Sequence, residues 1–244
     1  MSKRKKTKIV ATLGPGSNKV EVMEEMILSG VDVFRINFSH AEHAEVKKRI
    51  KIIRELGEKL GSNTSILDDL QGPKLRIGMV EEGMVVAPGD QITFLNGEPF
   101  VGNKEKVFMN YNNFSKDVQP GERILLDDGK LIFEVISTDK KEKVETKVIQ
   151  GGKLKSKKGV NLPNTNISQP ALTEKDKEYA LFAIEQEVDW IALSFVRNPE
   201  DLMELEAIIS KHSSYKIPII AKIEKPEAVE NAGWLPRQLR GVRL

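Results

Sequence analysis

The apolar positions of the chain change their period more than once. From Lys8 to about Leu70, short apolar runs alternate with helical stripes. Ile9 to Leu13 reads as a short buried strand closed by Gly14-Pro15-Gly16. Val20 to Leu28 has helical spacing with Gly30 as its stop, and Val31 to Phe34 is a second apolar run. Further on, Val46, Ile50, Ile53, Leu56 and Leu60 fall on one stripe with Gly61 just beyond, which predicts an amphipathic helix from Glu42 to Leu60. Ser65-Ile66-Leu67 then leads into Asp68-Asp69. Strand, helix, strand, helix, strand predicts parallel pairing through crossover helices.

From about Gly72 to Ser168 the helical stripes stop and short β-rich runs replace them. These are Met84 to Val86, Gln91 to Leu95, Val107 to Met109, Arg123 to Leu126, Leu131 to Ile136 and Lys143 to Ile149. Turn signals separate them, among them Pro88-Gly89-Asp90, Asn96-Gly97 and Gln119-Pro120-Gly121, with Asp128-Gly129 marking a hairpin. This stretch predicts a small antiparallel all-β domain, barrel-like. From Gln169 the alternating grammar returns. Thr173-Glu174-Lys175-Asp176 resembles a capping box opening a helix to about Glu187, and Trp190 to Phe195 is an apolar strand. Asn198-Pro199 starts a helix with Leu202, Leu205, Ile208 and Ile209 inward, and Pro218 to Glu224 is a further strand. The expected organisation is therefore a first α/β part over residues 1–71, an inserted β-domain over 72–168 and a second α/β part over 169–231, with residues 232–244 set apart.

Composition narrows the function classes. With 39% hydrophobic and 30% charged residues among 244, a packed core is expected and disorder is not. A net charge of +2 gives no argument for a nucleic-acid partner. The absence of cysteine excludes disulfides, thiolate zinc sites and a cysteine nucleophile, and fits a reducing compartment. No apolar run approaches the ~20 residues of a membrane span. The basic start, Met1-Ser2-Lys3-Arg4-Lys5-Lys6, has no signal-peptide apolar region and reads as a solvated tail, with phosphate or nucleic-acid binding as the alternative.

Candidate chemistry collects at strand ends. In Arg35-Ile36-Asn37-Phe38-Ser39-His40, alternation along an extended chain puts Arg35, Asn37 and Ser39 on one side and Ile36 and Phe38 on the other. Thr12, Asp69, Ser194, and Lys222 with Glu224 end the first, third, fourth and fifth expected strands. The C-terminal rim of a (β/α) barrel is where active sites are built. A loop salt bridge accounts for any one of these residues but poorly for five successive strand ends.

Seven stretches then carry a resemblance to the pyruvate kinase family over about Lys8 to Asn231. They are Lys8 to Pro15, Arg35 to His40, Asp69-Leu70-Gln71-Gly72-Pro73-Lys74-Leu75-Arg76, Lys158 to Pro163, Leu172 to Asp176, Ser194-Phe195-Val196-Arg197 and Ile220 to Glu224. The resemblance implies an α/β fold: a partial (β/α)8 TIM barrel, about five strands present, with an inserted all-β barrel domain. It implies phosphoryl transfer from phosphoenolpyruvate to ADP, giving pyruvate and ATP, in the cytoplasm. It places Lys222 as the lysine that stabilises the transferring phosphoryl group and the enolate, and Arg35 on the substrate phosphate, with Ser194 lining the substrate site. Glu224 becomes a ligand of Mg²⁺ or Mn²⁺. Asn37, Ser39 and Asp69, with the Leu70 carbonyl, become the monovalent-cation site. Asn37, His40, Arg76 and Lys158 fall on the nucleotide side. The intact family is a homo-tetramer without nucleic-acid or membrane partners.

Two departures from the family pattern carry expectations. Many members have a glutamate where Lys74 stands and need K⁺; in the subgroup with lysine, the ammonium stands in for that ion, so K⁺ independence is expected. Past Asn231 the family continues into a helix and a sixth strand bearing Ala-Arg-Gly-Asp, whose aspartate is the second metal carboxylate. Here residues 232–244 hold three arginines and no acid, and Pro236 breaks the expected helix. A frameshift or premature end is the expectation, against a genuine short variant, and with it an inactive fragment. The rival readings are a non-catalytic remnant that binds a nucleotide or a full-length subunit, and a lyase or aldolase acting on phosphoenolpyruvate-like substrates. The β-domain and the Lys158–Pro163 loop argue against the latter.

Overall fold

The computed structural model describes residues 6–37, 42–225 and 228–229, and the backbone of 242–243. It divides into two compact units, residues 1–72 with 171–244, and residues 73–170.

The first unit is built on β1 (Val10–Thr12), β2 (Val33–Ile36), β3 (Ser65–Leu70), β12 (Trp190–Leu193), β13 (Ile219–Ala221) and β14 (Val242–Arg243), side by side in that order. Every neighbouring pair is parallel. The crossovers are α1 (Val20–Leu28), α2 (His43–Leu60), α4 (Glu174–Glu185) and α5 (Pro199–His212). Alternation decides which side chains meet them. Phe34, Ile36, Ile66, Leu70, Ile191 and Leu193 point into one cluster with Met23 and Ile27 of α1, Val46, Ile50, Ile53 and Leu56 of α2, Ala180 and Ile184 of α4, and Leu202, Leu205 and Ile209 of α5. Arg35, Leu67, Asp69 and Ala192 have the opposite parity and lie on the other face. The helix ends follow their sequence signals: Gly61 is left-handed at φ 61° past α2, Thr173 Oγ1 accepts from Asp176 N before α4, and Asn198 accepts from Asp201 N before α5.

Two expectations for this unit are corrected. Strand β1 is not buried: Ile9 is 43% and Val10 53% exposed. It lies at the edge of the sheet, and Val10 has the parity that faces away from the helices, so within β1 only Ala11 packs on the core, with Leu13 just beyond the strand buried in it. The sheet also has six strands rather than five, because Val242 and Arg243, in the segment set apart, pair with Ile219 and Ile220. A two-residue strand is too short to leave a periodic signal.

The second unit carries β4 (Val85–Val86), β5 (Gln91–Leu95), β6 (Lys106–Phe108), β7 (Arg123–Leu126), β8 (Leu131–Thr138), β9 (Lys143–Gln150), β10 (Gly152–Lys153) and β11 (Val160–Asn161). Six of them form a sheet in the order β11-β7-β8-β9-β5-β6, and β10 pairs with β4. The β7–β8 turn places Asp127, Asp128 and Gly129 all at positive φ, which glycine and aspartate tolerate best. Phe94 meets Phe114 and Phe133 edge to face in a core of its own. The expectation of purely antiparallel pairing is corrected at β5–β6, which are parallel. Residues 96–105 form a connection long enough to bring the chain round in the same direction. One helical turn, α3 (Phe114–Asp117), stands where no helix was expected and buries Phe114.

Candidate functional site

Register brings the strand-end side chains into a row. Thr12 is opposite Arg35, Asp69 opposite Ala192, and Leu193 opposite Ala221, so Ser194 and Lys222 leave their strands next to each other. The centre of the row is Asp69, whose side chain is 5% exposed. Its Oδ2 accepts from Arg35 Nε at 2.7 Å and from Arg35 Nη2, and its Oδ1 accepts from Lys222 Nζ at 3.1 Å. Arg35 Nη1 donates to Thr12 Oγ1 at 2.8 Å. Of the five N–H donors of that guanidinium, three are thus committed, leaving two on a side chain that is 33% exposed.

Lys222 is held from three sides. Besides Asp69, its ammonium donates to Ser194 Oγ at 2.7 Å and lies 3.6 Å from Glu224 Oε1. Ser194 is buried, and its hydroxyl donates a hydrogen bond to the Leu70 carbonyl at 2.7 Å. Glu224 Oε2 accepts from Phe195 N at 3.1 Å. Two cations and two carboxylates therefore balance at one mouth, before any anionic ligand arrives.

Behind the row, Asp68 points into the helix-side core between Ile36 and Ile191, its partners on the flanking strands. It is fully buried, and neither carboxylate oxygen has a hydrogen-bond partner among the described residues. Burial, reinforced by the negative charges of Asp69 and Asp176, pushes this carboxyl well above the usual range. Asp176 is also buried, but it accepts from Thr173 N, Thr173 Oγ1 and Gly72 N, which ties the end of β3 to the start of α4.

The structure thus brings together Arg35, Asp69, Leu70, Ser194, Lys222 and Glu224, with Asn37 directly after β2. Ser39 and His40 lie outside the described residues. Lys74, Arg76 and Lys158 belong to the second unit. There Arg76 pairs with Gly159, next to Lys158, and its Nη1 donates to the Lys157 carbonyl at 2.8 Å. Lys158 pairs with Asp127 at 2.8 Å, and this bond, ahead of that from Lys130, holds the Asp127 carboxyl below its usual range. Sequence reasoning missed the backbone N–H of Phe195, because an aromatic residue gives no sign of a left-handed conformation. It also missed what Thr12 does, although its strand-end position was visible.

The donor set bears on a divalent ion. Among the described residues no three His, Asp or Glu side chains gather at one point. Asp69 already serves two cations, which leaves Glu224 Oε1, 3.6 Å from the Lys222 ammonium, as the carboxylate oxygen that could hold an ion. Mg²⁺ is commonly held by one or two carboxylates together with substrate oxygens. The site fits an ion shared with substrate and not a cage made by protein alone.

Comparison with known proteins identifies the family of the chain. The family model for the barrel domain of pyruvate kinase matches residues 4–237, six residues past the expected end of the resemblance. A pyruvate kinase of Clostridium perfringens is 42% identical over 243 residues, which is 98% of this chain and 50% of that protein. One from Bacillus licheniformis is 43% identical over 230 residues, 93% of this chain and 39% of its own length. Pyruvate kinase 2 of Synechocystis is 42% identical over 245 residues, 98% and 41% respectively. The chain spans half or less of the length of these relatives. On the family model and these identities together, the chain belongs to the pyruvate kinase family.

Proposed function

We propose that the row at the sheet's C-terminal rim is the phosphoenolpyruvate side of a phosphoryl-transfer site that passes the phosphoryl group to ADP, giving pyruvate and ATP. The observation that carries this is the Asp69 carboxylate joining Arg35 to Lys222, with Glu224 beside the ammonium. Such transfer needs positioning and charge neutralisation more than a protein nucleophile. Arg35 offers the two remaining N–H donors of a fixed fork, apt for a phosphate. Lys222 offers a compact ammonium where charge grows as the P–O bond to the enolate breaks. Ser194 and Asp69 aim that ammonium. A divalent ion, when bound by Glu224 with substrate oxygens, supplies further charge neutralisation.

The finer reading goes with it. The six parallel strands are part of a (β/α)8 barrel, and residues 73–170 are its inserted β-barrel domain. Arg76, Lys158 and His40 serve the nucleotide, and Mg²⁺ or Mn²⁺ is the divalent ion. Asn37, Ser39, Asp69 and the Leu70 carbonyl form the monovalent-cation site, with Lys74 in place of K⁺. An intact member of the family works in the cytoplasm as a homo-tetramer. No described helix is long and apolar enough to cross a membrane.

Calorimetric titration of the chain with phosphoenolpyruvate in the presence of Mn²⁺ tests the proposal. Arg35→Met and Lys222→Met are each expected to weaken binding about 10- to 100-fold, the scale of a lost charge-assisted contact. Equal affinity in wild type and both variants contradicts it.

A further inference from the structure

We propose that the Ser194-Phe195 turn is a positioning device that pins one oxygen of Glu224 and so aims the other at the divalent ion. The inference rests on the reading of Glu224 as a metal ligand.

The β12–β13 pairing runs as far as Lys222 N donating to the Leu193 carbonyl at 3.0 Å and resumes with Val196 N donating to the Lys222 carbonyl at 3.3 Å. Ser194 and Phe195 are looped out between these two bonds. The loop gives both of its members to the neighbouring strand end: the Ser194 hydroxyl to Lys222 and the Phe195 N–H to Glu224 Oε2.

Phe195 makes this reach in the left-handed region, at φ 57°. That conformation is unfavourable for a bulky side chain, and residues held in it persist only where their surroundings over-determine them. Gly72 supplies those surroundings. A Cβ at Gly72, itself at φ +64°, would lie 3.1 Å from Phe195 Cδ2 and 3.3 Å from the Ser194 carbonyl. Glycine thus leaves the slot into which the ring seats, and Asp176 fixes Gly72 by accepting from its N–H at 3.2 Å. A carboxylate with one oxygen tied to backbone loses rotational freedom, which is how groups around a metal site orient its ligands.

The test uses the whole chain and two readouts. The first is hydrogen exchange at the Phe195 amide, compared between wild type and Glu224→Ala. The bond predicts slow exchange in wild type and an acceleration of about tenfold in the variant. Equal rates overturn the inference. The second is Mn²⁺ affinity from water-proton relaxation. Phe195→Pro, which removes the N–H and forbids positive φ, is expected to weaken binding about tenfold, within the range seen for groups that orient metal ligands. Phe195→Gly, which keeps the N–H and tolerates the conformation, is expected to stay within about threefold of wild type. A Gly variant that loses as much as the Pro variant also overturns the inference. If wild type binds Mn²⁺ no better than Glu224→Ala, the metal reading itself falls, and the exchange comparison decides alone whether the turn holds Glu224. That comparison needs no substitution in the turn, so it stands even if the Pro variant does not fold.

Discussion

Replacing Asp69 by Asn keeps the shape of β3 but removes the charge that Arg35 and Lys222 share. With a buried acceptor and partners about one-third exposed, the loss of stability is expected to be about 1–3 kcal/mol, measured by urea unfolding. Asp68, one residue earlier, is expected to behave in the opposite way. Its folded-state affinity for a proton is raised, so its contribution to stability is fully present below the unfolded carboxylate range, near pH 4, and is lost as pH rises toward the folded value. Asp68→Leu is therefore expected to stabilise the chain at neutral pH by about 1–3 kcal/mol and to flatten the pH dependence. A destabilised Asp68→Leu protein would mean that the carboxyl has a partner. Lys74 carries a third expectation: phosphoenolpyruvate binding is the same in sodium-only and potassium buffers, and strong K⁺ enhancement rejects the substitution of ammonium for ion. Arg35, Asp69 and Lys222 were legible because polar groups at the ends of apolar runs stand out. The burial of Asp68 was not, since in the sequence Asp68-Asp69 looks like two rim residues and only register separates their faces. The turn at Phe195 was not legible either, since it depends on Gly72, more than 100 positions away in the chain.

At the scale of elements, local signals and structure agree where the local physics is strong. The stripe Val46, Ile50, Ile53 and Leu56 is the buried face of α2. The Thr173 box caps α4, and the Asp128-Gly129 signal marks the β7–β8 turn. Because Asp176 serves both the cap and Gly72, Thr173→Ala is expected to cost about 1–2 kcal/mol, at the upper end for a lost N-cap. Thermal unfolding followed by circular dichroism measures it, and a cost within a few tenths means that Asp176 holds the helix start by itself. Elements whose placement depends on distant partners were harder to read. Strand β1 has the composition of a buried strand but lies at the sheet edge, and β6 runs parallel to β5 because of where its connection returns.

At the scale of the whole molecule, each of the two units has its own buried cluster. Two separable unfolding transitions are expected. Phe133→Ala, which empties a fully buried site in residues 73–170, is expected to lower one transition by about 3–5 kcal/mol and leave the other in place. A single transition that moves as a whole contradicts the separation. The change of grammar near Gly72 and its return near Gln169 were visible as changes of hydrophobic period. The sixth parallel strand was not, because two residues are too few to show a hydrophobic period.

The most direct measurement is a crystal structure of the chain with phosphoenolpyruvate bound. The account predicts phosphate oxygens about 2.7–3.1 Å from Arg35 Nη atoms and from Lys222 Nζ, with Asp69 still joining the two cations. A substrate phosphate bound elsewhere, with Arg35 and Lys222 turned away from each other, would contradict it.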